Sequence, residues 1–157
     1  MFSLIACIGK NRELGRRNQL IFHLKDDLKF FRKTTSNHAV VMGRKTWESL
    51  PGKLPGRENI VISRSEFPGP DRIIHNLDQF VAENQNTPEE IFIIGGGEIY
   101  QKFLPIARHL YLTEVDATIP DADTFFPEFE PANFDSQIIQ TGTENQLKYQ
   151  IIKYNRK

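Results

Sequence analysis

"EEIFIIGGGEIYQKFLP", residues 89–105, carries the reading of the fold. Ile91 to Ile94 form a short apolar run that stops at three glycines, the pattern of a strand buried on both faces. "EIYQKFLP" then reads as a helix stopped by Pro105. A strand that hands over directly to a helix is half of a crossover unit, the connection that parallel strands require. The same handover recurs in "VVMGRKTWES", residues 40–49.

Working outward, "MFSLIACIG" is a buried strand and "KNRELGRRNQLIFH", polar and irregular, is expected to be a long surface loop. A helix is expected around residues 25–35. "HAVVMG" is a second strand, "RKTWESL" a short helix and "PGKLPGR" a turn-rich connector. "ENIVISR" and "RIIH" read as strands, and "LDQFVAEN" as a helix with Leu77, Phe80 and Val81 on one side. "HLYLTEVDAT" is a strong strand, and the tail from Phe134 to Tyr154 alternates enough for two antiparallel strands joined near "TGTEN". Alternating strands and helices imply an α/β fold: a mostly parallel central sheet covered on both faces, with an antiparallel C-terminal edge. No repeat, low-complexity tract or linker divides residues 1–157, so one domain is expected.

The 157 residues suffice for a real core. Twenty basic and twenty acidic side chains balance, which argues against nucleic acid or an anionic membrane as the main partner. Cys7 has no partner for a disulfide and fits a reducing compartment. There is no apolar run of membrane-spanning length and no signal-peptide opening, so a cytoplasmic protein is expected. His23, His38, His75 and His109 lack metal-ligand spacing, and no metal is expected.

The two strand-to-helix junctions hold the chemistry. Helix N-termini present unpaired N–H groups, and glycine lets a ligand approach the backbone. Arg44, Lys45 and Thr46 add charge and a hydroxyl. Either junction alone reads more simply as a tight turn; the two together suit a two-phosphate ligand. "GGGEIY" has Tyr100 where the dinucleotide fingerprint needs a third glycine, so if a dinucleotide binds, the protein is not an ordinary Rossmann domain. Arg64, beside Ser63 at a strand's carboxyl end, could join Arg44 around a further phosphate, or be a solvated charge. In "LKDDLKFF", residues 24–31, Asp27 falls on the helix face of Leu24, Leu28 and Phe31. A carboxylate there needs a partner, either an internal donor or a ligand.

Taken in order, "SLIA" (3–6), Gly15, "DDL..F" (26–31), "VMGRKTWESL" (41–50), "LPGREN" (54–59), "IIGGGEIY" (93–100), "LYLTEVDA" (110–117) and "DTFFP" (123–127) resemble bacterial dihydrofolate reductase from end to end. The resemblance implies an eight-stranded, mostly parallel sheet with four helices. It also implies NADPH-dependent reduction of 7,8-dihydrofolate, by hydride transfer from nicotinamide C4 to pterin C6 with a proton delivered to N5. On the substrate side it assigns Asp27 as the pterin carboxylate and Thr113 as its support. Ile5, Ala6, Leu28, Phe31, Leu50, Leu54 and Ile94 become walls, and Arg57 the partner of the glutamate α-carboxylate. On the cofactor side it assigns Arg44, Ser63 and Arg64 to the 2′-phosphate. Gly43, Lys45, Thr46, Ser49, Gly97, Glu98, Ile99 and Tyr100 line the two phosphate junctions and the nicotinamide surroundings. Gly95 and Gly96 match a pair joined by a cis peptide. Ala6, Cys7 and Ile94 lie against the nicotinamide, and Leu14, Gly15, Asn18 and Leu20 belong to a loop that closes over the site, Leu20 gating a water. Leu20, Phe22 and Tyr100 join Asp27 and Thr113 as residues of the catalytic step. The likeness also implies antifolate binding, and a monomer is expected because no apolar surface stripe is left over.

The chain departs from the family where Ile21-Phe22 replaces the usual Pro-Trp and Lys25 a usual proline. Phe22 keeps the bulk of tryptophan and lacks its N–H donor. Ala122 stands near a usual glycine. Rival readings are an antifolate-tolerant form of the same enzyme, a pyrimidine reductase of the same fold, which would lack the pterin carboxylate, and a non-catalytic nucleotide-binding protein.

Overall fold

The computed structural model describes residues 1–157. In chain order the elements are β1 (Phe2–Ile8), β2 (Glu13–Arg16), β3 (Gln19–Leu20), α1 (Lys25–Thr35), β4 (Ala39–Gly43), α2 (Arg44–Ser49), β5 (Glu58–Ile62), β6 (Arg72–Ile74), α3 (Leu77–Asn84), β7 (Ile91–Gly95), α4 (Gly97–Phe103), β8 (Ala107–Val115), β9 (Thr124–Phe125), β10 (Phe134–Glu144) and β11 (Leu147–Arg156). Eight strands form one sheet in the order β10-β11-β8-β1-β7-β4-β5-β6, and β3-β2-β9 form a second, small sheet. The strands from β8 to β6 run parallel, while β11 is antiparallel to both β8 and β10.

Period-two alternation explains the layering. Phe2, Leu4, Ala6 and Ile8 of β1 face one side, where they join Phe80 of α3 and Tyr100 and Phe103 of α4. Ile5 faces the other with Val40, Met42, Phe92 and Tyr111, against which Phe30 and Phe31 of α1 and Trp47 of α2 pack. Each fully buried Phe or Leu contributes roughly 1.5–3 kcal/mol, so both faces must be covered. No helix is long and apolar enough to cross a membrane.

Four details differ from the sequence expectation. The segment expected as an irregular loop holds a β2–β3 hairpin. Arg17 and Asn18 turn it at φ 52° and 61°, and Gly15 lies so close to the carbonyl of Gln19 that a Cβ there would sit 2.6 Å from its oxygen. Polarity hid this hairpin because the small sheet has little core of its own. Leu28 is 56% exposed and does not share the buried face of Leu24, because α1 lies against the sheet through Phe30 and Phe31. The helix after the three glycines ends at Phe103, and Pro105 sits inside a following 3-10 turn, Leu104–Ile106. Ile138 and Ile139 are exposed on the edge strand β10, where the register with β11 shifts between Ile138 and Gln140.

Candidate active site

Helix α1 presents the half-buried Asp27 to β8, where the buried Thr113 donates its hydroxyl to Asp27 Oδ1 at 2.6 Å. Burial pushes the Asp27 carboxyl above the ordinary aspartate value of 3.8; the Thr113 hydrogen bond pulls it back, and the negative Glu144 pushes it further up. Cys7 pairs with Thr113 across β1 and β8, and burial, then the Asp27 charge, push its thiol far up. It stays a neutral thiol, unsuited to act as a nucleophile. Ile5 and Ala6 are buried beside it, and Phe31, Leu50, Leu54 and Ile94 pack around the cluster containing Ile5. Leu28 stands exposed above them.

Arg57 is half-buried beside the C-terminal end of α1. Its Nε donates to the Pro55 carbonyl at 3.0 Å and its Nη1 to Thr35 Oγ1 at 3.1 Å, and the guanidinium lies 5.8 Å from the Phe31 ring centroid. Two of its five N–H donors are used, which leaves one on Nη1 and both on Nη2 for a carboxylate.

The two glycine junctions abut. A Cβ at either Gly95 or Gly96 would lie 3.5 Å from Thr46 Oγ1, and one at Gly43 would lie 3.1 Å from Ile99. The Gly95–Gly96 peptide is cis. A Cβ at Gly97 would come within 3.2 Å of Thr124 on β9, so the small sheet reaches the second junction. Ser49 bonds back to the Thr46 carbonyl, while Lys45 and Glu98 are exposed. Tyr100 is buried and donates its hydroxyl to the Ile5 carbonyl at 2.7 Å. That bond uses the one hydroxyl hydrogen and ties α4 to β1, while the phenol oxygen, which would lie 3.5 Å from a Cβ at Gly95, keeps its acceptor capacity. On the β2–β3 hairpin Leu14 is buried, Asn18 is exposed and Leu20 is 62% exposed. Phe22 is buried with Leu24, Val115, Tyr149 and Ile151, and Cys7 packs alongside.

Arg44 and Ser63 come together through Ser65. Arg44 Nη1 donates to Ser65 Oγ at 2.7 Å, and the Ser65 N–H donates to Ser63 Oγ at 3.2 Å. His75 closes the same turn, bonded to the Ser63 carbonyl and to Glu66, whose hydrogen bond raises its pKa. Arg64 is exposed next to this group.

Sequence reading missed several supports. Asn59, fully buried, donates to the Leu54 and Arg57 carbonyls and accepts the Leu54 N–H, pinning the segment that carries both residues. A polar residue opening an apolar strand was the available signal. Ser65 and His75 had none, since their role depends on two strands meeting. A groove of about 1210 Å³ lies elsewhere, beside Lys10, Arg12, Asp116 and Glu128, where Lys10 pairs with Asp116 and Arg12 with Glu128. The perturbed carboxylate lies outside it, so the Asp27–Thr113 pair marks the better candidate site.

The dihydrofolate reductase family model matches residues 1–156. The dihydrofolate reductase of Bacillus subtilis (strain 168) is 37% identical over 163 aligned positions, covering 100% of this chain and 95% of that one. The Haemophilus influenzae enzyme is 42% identical, covering 81% of this chain and 79% of its own. The dihydrofolate reductase type 3 of Salmonella typhimurium is 41% identical, with 82% and 80% covered. With the fold, the paired glycine junctions and the Asp27–Thr113 couple, these matches establish that the chain belongs to the dihydrofolate reductase family, whose members are nicotinamide-dependent oxidoreductases.

Proposed function

We propose that this protein reduces 7,8-dihydrofolate to 5,6,7,8-tetrahydrofolate with NADPH. The observation that supports the reading is the half-buried Asp27, bonded to Thr113, with Arg57 bonded to Thr35 at the other end of the same helix. Asp27 accepts hydrogen bonds from a pterin ring nitrogen and the 2-amino group, and Thr113 holds it in place. Phe31, Leu28, Leu50 and Leu54 pack the pterin and aminobenzoyl rings, and Arg57 pairs with the glutamate α-carboxylate. A pyrimidine reductase would need neither Asp27 nor Arg57.

The adjacent glycines and Thr46 suit a diphosphate. Arg44, Ser63, Ser65 and Arg64 suit a 2′-phosphate. NADPH, when bound, supplies the hydride. The chain's own residues align the rings and exclude water. Asp27 orients the pterin and favours its protonation at N5, the proton arriving through water whose entry Leu20 controls. The protein works as a single-domain monomer in the cytoplasm, and antifolates resembling the pterin compete for the same site.

Purified protein mixed with dihydrofolate and NADPH should lose the reduced-nicotinamide absorbance; bound NADPH without turnover would overturn the reading. Arg64→Ala should weaken NADPH binding about tenfold, the worth of one charge-assisted hydrogen bond. NADH affinity should not change, as measured by quenching of protein fluorescence. An unchanged NADPH-to-NADH ratio would remove Arg64 from the phosphate site.

Phe22→Trp restores an indole N–H beside the site. A faster hydride step with a weaker pH dependence is the expected pre-steady-state result. Identical profiles would show that position 22 contributes bulk alone.

A further inference from the structure

Helix α1 begins without a cap of its own. Leu24 at its N-cap makes no side-chain hydrogen bond to the helix, and the first N–H groups of any helix have no partner within it. Here one distant side chain takes two of them. The Lys25 N–H donates to Glu144 Oε2 at 2.7 Å and the Asp26 N–H to Glu144 Oε1 at 3.1 Å, across 119 and 118 residues of chain. A second tie lies beside the first: the Tyr149 hydroxyl donates to Asp26 Oδ2 at 2.6 Å and accepts from Gln140 Nε2 at 3.2 Å. Tyr149 is itself buried among Phe22, Leu24, Val115 and Ile151. Its ring lies over Gly142, where a Cβ would come within 2.9 Å of three ring-end atoms. Asn145 and Gln146, at φ 52° and 67°, make the tight turn that leaves Glu144 at the tip of the β10–β11 hairpin. The hairpin tip and the start of the helix are thus joined at two points, and Asp27 follows immediately in the first helical turn.

We propose that Glu144 is a positioning residue for the reductase reaction: its carboxylate serves as the missing N-cap of α1 and sets where Asp27 meets Thr113 and the pterin. The inference rests on the proposed function for its link to catalysis. A carboxylate at a helix N-terminus is favoured by the dipole as well as by the two hydrogen bonds. It also acts on Asp27 through charge, in the same direction as burial. The other ionisable groups at this junction are His23 before α1, Lys25, Asp26 and Lys29 on α1, and Lys148 and Tyr149 on β11, while Cys7 and Tyr100 adjoin Asp27 from β1 and α4. The Tyr149, Tyr100 and Cys7 pKa values are all raised, so these three stay protonated where Asp27 titrates.

The test compares Glu144→Gln, which keeps the shape and one accepting oxygen, with Glu144→Ala and with Lys25→Pro. Proline at the first helical position removes the Lys25 donor and is compatible with the helix, and Leu24 already has the extended backbone, φ −89° and ψ 128°, that a residue before proline prefers. Carbon-13 NMR of the Asp27 carboxyl, followed through pH in the ligand-free protein, should show its midpoint moving to lower pH in Glu144→Gln. The fall of the hydride step with rising pH should move the same way. Glu144→Ala should lower the folding equilibrium constant about fivefold, the usual effect of losing a cap, and by less when Lys25→Pro is also present. An unmoved Asp27 titration in Glu144→Gln, or equal stability losses in the two backgrounds, overturns the proposal. The titration and the stability cycle need no substrate, so a failure of the proposed reaction would leave them readable.

Discussion

Replacing Asp27 by asparagine is expected to lower kcat/KM for dihydrofolate at pH 7 about 10²- to 10³-fold, the range of a lost proton-transfer contribution. Asparagine has nearly the same shape and can still accept the Thr113 hydroxyl. It presents an N–H₂ group where the carboxylate has a second oxygen, and so sets donor against donor at the pterin. It also carries no negative charge to favour protonation of N5. The deficit should narrow as the pH falls, because acid then supplies the proton. A loss under fivefold at pH 7 would remove Asp27 from the catalytic step. The same variant should melt at a higher temperature than the wild type at neutral pH. Burial raises the folded-state pKa of Asp27 above its unfolded value, so folding takes up a proton between the two. That stability is complete below the unfolded value and is lost as the pH rises through the folded one. Asparagine suffers no such loss, and the gap in melting temperature should close as the pH approaches 3.8.

Arg57→Leu is expected to raise KM for dihydrofolate about 10²-fold while kcat falls little. Two hydrogen bonds between charged partners are worth about 3 kcal/mol, and each 1.4 kcal/mol is a tenfold change in affinity. The effect falls on binding because the glutamate tail is remote from the reacting carbon, and interactions made equally in ground and transition states move KM alone. Arg57→Lys should recover only part of the loss, since an ammonium cannot make the paired contact of a planar guanidinium. A substrate analogue lacking the glutamate should bind wild type and Arg57→Leu equally. Unequal binding would mean that Arg57 acts through the Phe31 ring or the Thr35 hydroxyl that it also touches.

What could be read from the sequence follows from what is local. Leu77–Asn84 is a helix with the boundaries that its pattern suggests, and Asn76 caps it through Gln79. The apolar runs at Ile91–Gly95 and Ala39–Gly43 are buried strands with little exposed surface, so composition alone marks them. The Asp27 anomaly was visible because an acid interrupts an apolar helix face. Its partner Thr113 is 86 residues away and is reached only through the family likeness. The β2–β3 hairpin escaped because its strands are 4 and 2 residues long and are completed by Thr124–Phe125 from a distant loop. Glu144 escaped for a similar reason: it satisfies backbone groups of a segment that it meets only in the folded chain.

The position of β1 between β7 and β8 also shapes how the protein is made. Phe2 aligns with Ile91 on one side and Ala107 on the other, so β1 waits for two partners that both lie far downstream in the chain. At about 5–20 residues per second, roughly 5–20 s pass before either partner is synthesised. During that interval "FSLIACI" has no sheet to enter, and closing so long a loop delays its pairing further. The nascent chain therefore carries an unpaired apolar strand until β7 and β8 have been made. Folding yield in the cell should depend more on holdase capacity and translation rate than on the stability of the finished sheet.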